Sequence, residues 1–226
     1  MDPINGRNEM RAAASHMEDD PLPREAQALL EFWFADGTQS IAAARARNAL
    51  WFGQHADFDR EIEERFASLP ARAAAGALHA WRDHPRSALA LVLSLDQLPR
   101  NLYRGTPRAY AFDAEALAVT RVAIAAAYPQ HVHPLEAVFF YLPYEHAEDL
   151  AWQAYCVPGY VGQQDRALSE FRPLFDEFIA AGREHYDVVA RFGRFPHRNA
   201  ILNRNSNPEE AAFLASGGKH YGQVPT

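Results

Sequence analysis

Three short segments crowd charged and aromatic side chains against strongly apolar ones. The first runs Leu95-Asp96-Gln97-Leu98-Pro99-Arg100-Asn101-Leu102-Tyr103-Arg104. Asp96 falls at the end of an apolar helical run, where the helix dipole opposes a carboxylate. Arg100 and Arg104 are the nearest groups able to offset it, either as a structural ion pair or as arginines held ready for a ligand. The second segment, Phe139 to Asp149, contains Tyr144-Glu145-His146. An adjacent Glu145 and His146 form a candidate acid–base pair, because imidazole titrates near neutral pH. Acids in the first turns of a helix beginning at Pro143 also have a purely structural reading. The third segment places Arg191, Arg194, His197, Arg198 and Asn199 within nine residues, interleaved with Phe192 and Phe195. Planar arginines suit bidentate recognition of phosphate or carboxylate. His185, which shares a helical face with Val188, Val189 and Phe192, reads as a core histidine.

Other chemistries find little support. There is no Glu-x-x-His, no His-Glu-x-x-His and a single cysteine, so neither a di-iron, a zincin nor a thiolate metal site can be assembled, and no metal or cofactor is expected. His131-Val132-His133 lies in a proline-flanked loop. No glycine-rich phosphate loop is present. Cys156 sits among Trp152, Tyr155, Val157 and Pro158, an apolar setting that raises a thiol pKa.

The chain that must position these residues has 226 amino acids, 22 basic and 29 acidic side chains, and a formal charge of −7. That balance argues against a dedicated nucleic-acid binder. No apolar run reaches the ~18 residues of a membrane helix, and no charged start leads into an apolar secretory signal. One cysteine fits a reducing cytoplasm. The 21 arginines against Lys219 alone are what a GC-rich genome produces. Ser15-His16-Met17 reads as a cloning junction, which makes residues 1–16 an expression-vector leader, 17–216 one helical domain and 217–226 a loose tail after Gly217-Gly218.

Hydrophobic spacing predicts helices over Arg24–Ala35, Ile41–Phe52, Asp57–Phe66 and, more weakly, Ala71–Trp81. A central buried helix opens at Pro85 and should stop near Leu98, before Pro99. Further helices are expected over Asp113–Tyr128 with Asp113 as N-cap, over Pro134–Tyr141, over Pro143–Tyr155, over Gln164–Arg194 with a bend, and over Pro208–Leu214 capped by Asn207. Pro158-Gly159 should break the chain between two of these. No stretch alternates as a strand would. The fold class is therefore all-α, one domain of antiparallel helix pairs.

Asp96–Asn101 with Arg104–Thr106, Tyr141–Glu148 and Arg191–Asn199 together resemble the hallmark blocks of the bacterial domain-of-unknown-function family 924. Phe32-Trp33-Phe34, Trp51-Phe52 and Phe58-Asp59 fit its N-terminal pattern, so the resemblance runs from about Ala26 to Leu214. It implies a tetratricopeptide-like array of helix pairs and supports the choice of residues, but it supplies no reaction. Two positions depart from the pattern. Asn203 stands where glycine is expected, and Ser206-Asn207-Pro208 stands for Ser-Thr-Pro. Asn tolerates a left-handed turn and caps helices, so both local structures should survive.

Three functional classes fit this reading. One is a pocket for a small phosphate- or carboxylate-bearing molecule, with Glu145 and His146 as acid–base residues. Its binding set would be Asp96, Gln97, Arg100, Asn101, Arg104, Tyr144, Arg191, Arg194, His197, Arg198 and Asn199. The second is a peptide-binding scaffold, and the third an RNA-binding helper. Convergence of the three blocks in one concavity separates the first from the second. Dispersal along an open groove would favour the scaffold.

Overall fold

The computed structural model describes residues 22–223, so the leader assigned to residues 1–16 lies outside the described residues. The described chain is all-α, with no strand among the described residues. Its first helices are α1 (Arg24–Phe34), α2 (Ile41–Phe52), α3 (Ala56–Phe66) and α4 (Leu69–Ala74). Helix α1 is closed from outside: Arg47 on α2 donates to the Phe32 and Trp33 carbonyls, and the Trp51 indole donates to that of Trp33 at 2.8 Å. These bonds satisfy carbonyls that a helix end leaves unpaired. Gly76, at φ 78°, ends the run that the spacing extended to Trp81.

Helix α5 (Pro85–Val92) is the centre of the molecule, packed by α1 and by α7 (Asp113–Ala125). It does not stop at Leu98. A π-helical turn, Leu93–Gln97, carries it into α6 (Leu98–Leu102), and Leu98 N–H donates five residues back to the Leu93 carbonyl. Pro99 has no N–H to return to Leu95, and its ring crowds that carbonyl. One widened turn accommodates both problems without ending the helix. Gln97, Arg100, Asn101 and Arg104, spaced i, i+3, i+4 and i+7, consequently project from one side.

The second half contains α8 (Pro134–Ala137), α9 (Leu142–Glu145), α10 (Leu150–Gln153), α11 (Cys156–Arg166), α12 (Arg172–Phe192), α13 (Arg198–Ile201) and α14 (Pro208–Ala215). The helix expected over Pro143–Tyr155 is interrupted after Glu145. Asp149 caps a fresh start by accepting from Ala151 N–H at 2.7 Å, and Gln153 Nε2 donates to the freed carbonyls of Glu145 and Ala147. Pro158 does not break α11, because it falls in the first turn, where no N–H is missed. The long helix expected over Gln164–Arg194 is divided instead at residues 167–171, with Pro173 opening α12. Asn203 has φ 53°, the left-handed turn expected of it, and Asn207 caps α14 in a capping box with Glu210.

One core cluster runs from Ala26 to Ile179, with a small satellite of Val188, Val189 and Phe195. Trp33, Phe34 and Trp51 meet Phe139 edge-on. Gly159 on α11 presses so closely on Tyr141 that a Cβ there would stand 2.2 Å from the ring. Gly159→Ala is therefore expected to destabilise the protein by about 1–3 kcal/mol through overpacking. Urea unfolding measures it, and parental stability would mean that α11 and Tyr141 do not pack as described.

Candidate functional site

Asp96 on the π-turn is fully buried. Gln97 Nε2 donates to its Oδ2 at 2.6 Å, Arg100 Nη1 lies 3.2 Å from Oδ1, and His146 Nδ1 lies 2.8 Å from the same oxygen. Burial alone would raise this carboxyl's pKa. The Arg100 guanidinium, His146 and the hydrogen bonds outweigh it and hold the group well below the usual carboxylate range. Arg100 also pairs with Asp113 at 2.9 Å. Asp113 is not the expected N-cap of α7, a place taken by Phe112. Its carboxylate is instead shared with Arg198, 3.4 Å away.

Arg198 is 6% exposed, lies over the rings of Tyr110 and Phe195, and donates to the His146 carbonyl at 3.1 Å. Its pKa is lowered, chiefly by burial, with Asp113 opposing and Arg100 reinforcing the shift. Arg198 thus has less carboxylate support than Arg100, which holds the shared Asp113 more closely.

Glu145, also buried, accepts from Tyr160 Oη at 2.9 Å and faces His185 Nδ1 at 3.2 Å. His185 Nδ1 lies 2.8 Å from the Ala181 carbonyl as well. Both Nδ1 neighbours are acceptors, so the neutral ring carries its proton on Nδ1. The same argument places the proton of neutral His146 on Nδ1, toward Asp96. Burial, more than Glu145 can offset, lowers the His185 pKa. His197 is pushed down to about 2 by burial and then by Arg198 and the neighbouring histidines. Burial raises the Cys156 thiol well above its ordinary range, with Glu145 adding to the effect.

These groups surround a cavity of about 310 Å³, walled by Trp51, Phe52, Leu142, Tyr160 and Phe178. Gln97, Arg100, Asn101, Arg104, Glu145, His146, His197 and Arg198 all line it, so residues of all three sequence blocks meet there. Asp96 stands behind His146 and Arg100. Arg104 is held by Asp59 on α3, at 2.9 Å from Oδ1, and Asn101 donates to the same oxygen at 2.8 Å.

Four expected members lie elsewhere. Tyr144 stacks on Trp152 and Tyr155. Arg191 is exposed and pairs with Glu209. Arg194 pairs with the buried Glu210 at 2.7 Å, and Asn199 contacts Glu210, Ser206 and Arg204. Gly193, at φ 70°, reverses the chain between Arg191 and Arg198 and so separates them.

His185, Asp113, Asp59 and residues 219–223 join the site although their spacing did not assign them to it. Phe58-Asp59 was visible as a family pattern, but a helical wheel gave no sign that His185 faces a carboxylate. The tail is not loose over its described part. Gly105 N–H donates to Gln223 Oε1 at 2.9 Å, and Gln223 Nε2 donates to the Arg100 carbonyl at 3.0 Å. Tyr221 packs tilted against His185 and His197, with ring centroids 4.1 and 4.9 Å away, and Lys219 pairs with Glu184. Residues 219–223 therefore lie across the cavity as a strap.

With this geometry in hand, comparison with known proteins gives the class. Residues 29–218 match the model of the family described as bacterial protein of unknown function (DUF924), and the chain belongs to that family. A solved structure of a protein of unknown function from Agrobacterium tumefaciens is 38% identical, with TM-score 0.70, over 85% of this chain and 97% of that one. No curated protein matches. Among the described residues, no helix is long and apolar enough to cross a membrane, and no group of three or more His, Cys, Asp or Glu is placed to hold a metal ion.

The Arg194–Glu210 tie gives a test of its own. The hydrogen bond from Arg194 first, with Asn207 and Asn199, lowers the Glu210 pKa from 4.5 to about 2. A depressed folded-state pKa contributes stability above about pH 4.5 that is lost as pH falls toward 2. Arg194→Ala should lower the melting temperature at pH 7 and shrink its loss between pH 5 and 3 (~2 units of the titration window). Unchanged melting at both pH values would contradict a structural role for Arg194.

Proposed function

We propose that the cavity binds a small anionic molecule carrying a carboxylate or phosphate, and that His146 performs acid–base chemistry on it. The observation that carries this reading is the convergence of all three charged blocks on one cavity lined by Arg198, the arginine whose carboxylate support is weakest. Among the described residues four cations and three carboxylates line the cavity, while Asp59, Asp96 and Asp113 stand behind the arginines as their supports. A volume of about 310 Å³ suits a metabolite-sized molecule, and a few polar groups among aromatic walls are the usual composition of such a pocket. His146 has a carboxylate holding Nδ1, which leaves Nε2 to exchange a proton with a bound molecule. The concave shape and the strap across it favour a small ligand over a peptide or RNA, either of which needs an extended open surface. A cytoplasmic setting agrees with the single buried thiol.

A thermal-shift screen of inorganic phosphate, phosphate monoesters and small mono- and dicarboxylates tests the proposal. At least one compound should raise the parent's melting temperature. Arg198→Ala should bind it about 10–100-fold more weakly, the value of a charged hydrogen bond, whereas Arg191→Ala should bind like the parent. A parent shifted by no compound, or equal loss in the two variants, would overturn it.

A further inference from the structure

His146 is not alone in having a carboxylate behind it. Asp96 holds His146 and Glu145 holds His185, each through Nδ1, and both rings line the same cavity. The ring centroids are 6.3 Å apart. Neither Nε2 has a hydrogen-bond partner among the described residues. Among the described residues no serine, threonine or cysteine lines the cavity, so no aliphatic hydroxyl or thiol is offered there as a nucleophile to the two imidazoles. Cys156 touches Glu145 from behind, buried and with its thiol pKa raised.

We infer that His185 is a second catalytic residue and that the two histidines enolise a small anionic carbonyl compound, one as base and the other as acid. This rests on the pocket proposed above. His185 Nε2 takes the proton from the carbon next to the carbonyl. The C–H electron pair becomes the C=C bond of the enol, while the carbonyl π pair takes a proton from Nε2 of protonated His146. The products are the neutral enol, protonated His185 and neutral His146. Returning a proton to carbon, on the same or the neighbouring position, restores a carbonyl compound, so no oxidant or reductant is consumed. Asp96 stabilises the protonated His146, and Glu145 the protonated His185. Arg198 takes the substrate's anionic group, and the aromatic walls with the Tyr221 strap keep bulk water from the enol. Depression of the His185 pKa by burial keeps that ring unprotonated and ready to act as the base.

The probes are pyruvate, 2-oxobutyrate, 2-oxoglutarate and dihydroxyacetone phosphate in D2O, with loss of the C–H signal followed by proton NMR and binding followed by thermal shift. The parent should exchange the C–H of at least one bound probe faster than buffer. His185→Gln and His146→Gln should each slow that exchange at least ~100-fold, the usual contribution of a general acid or base, while still binding the probe. Glu145→Gln tests the positioning residue. Around His185, burial lowers the pKa most, Glu145 and the Ala181 carbonyl raise it, and His146 and Arg198 lower it, with the Tyr221 ring packed alongside. Removing the Glu145 charge should therefore move the acid limb of the exchange profile to lower pH, an effect that a merely structural role would not produce. A probe that binds but is never exchanged faster than buffer overturns the inference and leaves the pocket standing. Parental exchange by His185→Gln overturns the role of His185. If no probe binds, and the wider screen also finds nothing, the pocket itself falls and this inference with it.

Discussion

A carboxylate taken wholly out of water costs several kcal/mol unless charges and hydrogen bonds replace its hydration, and Asp96 is such a group. Its three side-chain partners come from two places. Gln97 and Arg100 are supplied by the helix that continues past Pro99, and His146 by the interruption after α9. Arg100 then holds Asp113, and Asp113 reaches Arg198. One buried charge thus links segments as far apart in sequence as Asp96 and Arg198. Arg100 is the link the two carboxylates share, so its removal would weaken the pairing of both Asp96 and Asp113.

The third block shows how a single cluster of like residues can serve two purposes. Gly193 turns the chain, and Phe195 fills the satellite core and lies under Arg198. Arg191 and Arg194 fall on the side of α14, where Glu209 and Glu210 receive them. Arg198 falls on the cavity side, and Glu148 ties the turn to the second block through Phe195 N–H and Arg204. Arginine density alone could not have distinguished these roles, since only the turn decides which guanidinium meets a carboxylate and which meets the cavity.

Much of the architecture was legible because its signals are local. Helices α2 and α14 are bounded by Ser40 and Asn207 side-chain caps, and α5 by Pro85 at its start. The failures have non-local causes. Pro99 is a helix stop by the usual steric argument, yet the π-turn absorbs it because Asp96 and Leu95 are both pinned in the core. Asp113 has the sequence position of a cap and is diverted by two arginines. His185 looked like a core residue because its neighbours on the helix are apolar, and the Glu145 that faces it lies 40 positions away. The tail carries too few apolar residues to announce packing, and its anchors are the side chains of Lys219, Tyr221 and Gln223.

The central claim is that buried Asp96 holds His146 with Nδ1 inward and Nε2 toward the cavity. Long-range proton–nitrogen correlation NMR on uniformly 15N-labelled protein, at a pH where the ring is neutral, reads this directly. His146 should carry its proton on Nδ1, and the tautomer should become mixed in Asp96→Ala. A parent His146 protonated on Nε2, or a tautomer indifferent to loss of the Asp96 carboxylate, would contradict it.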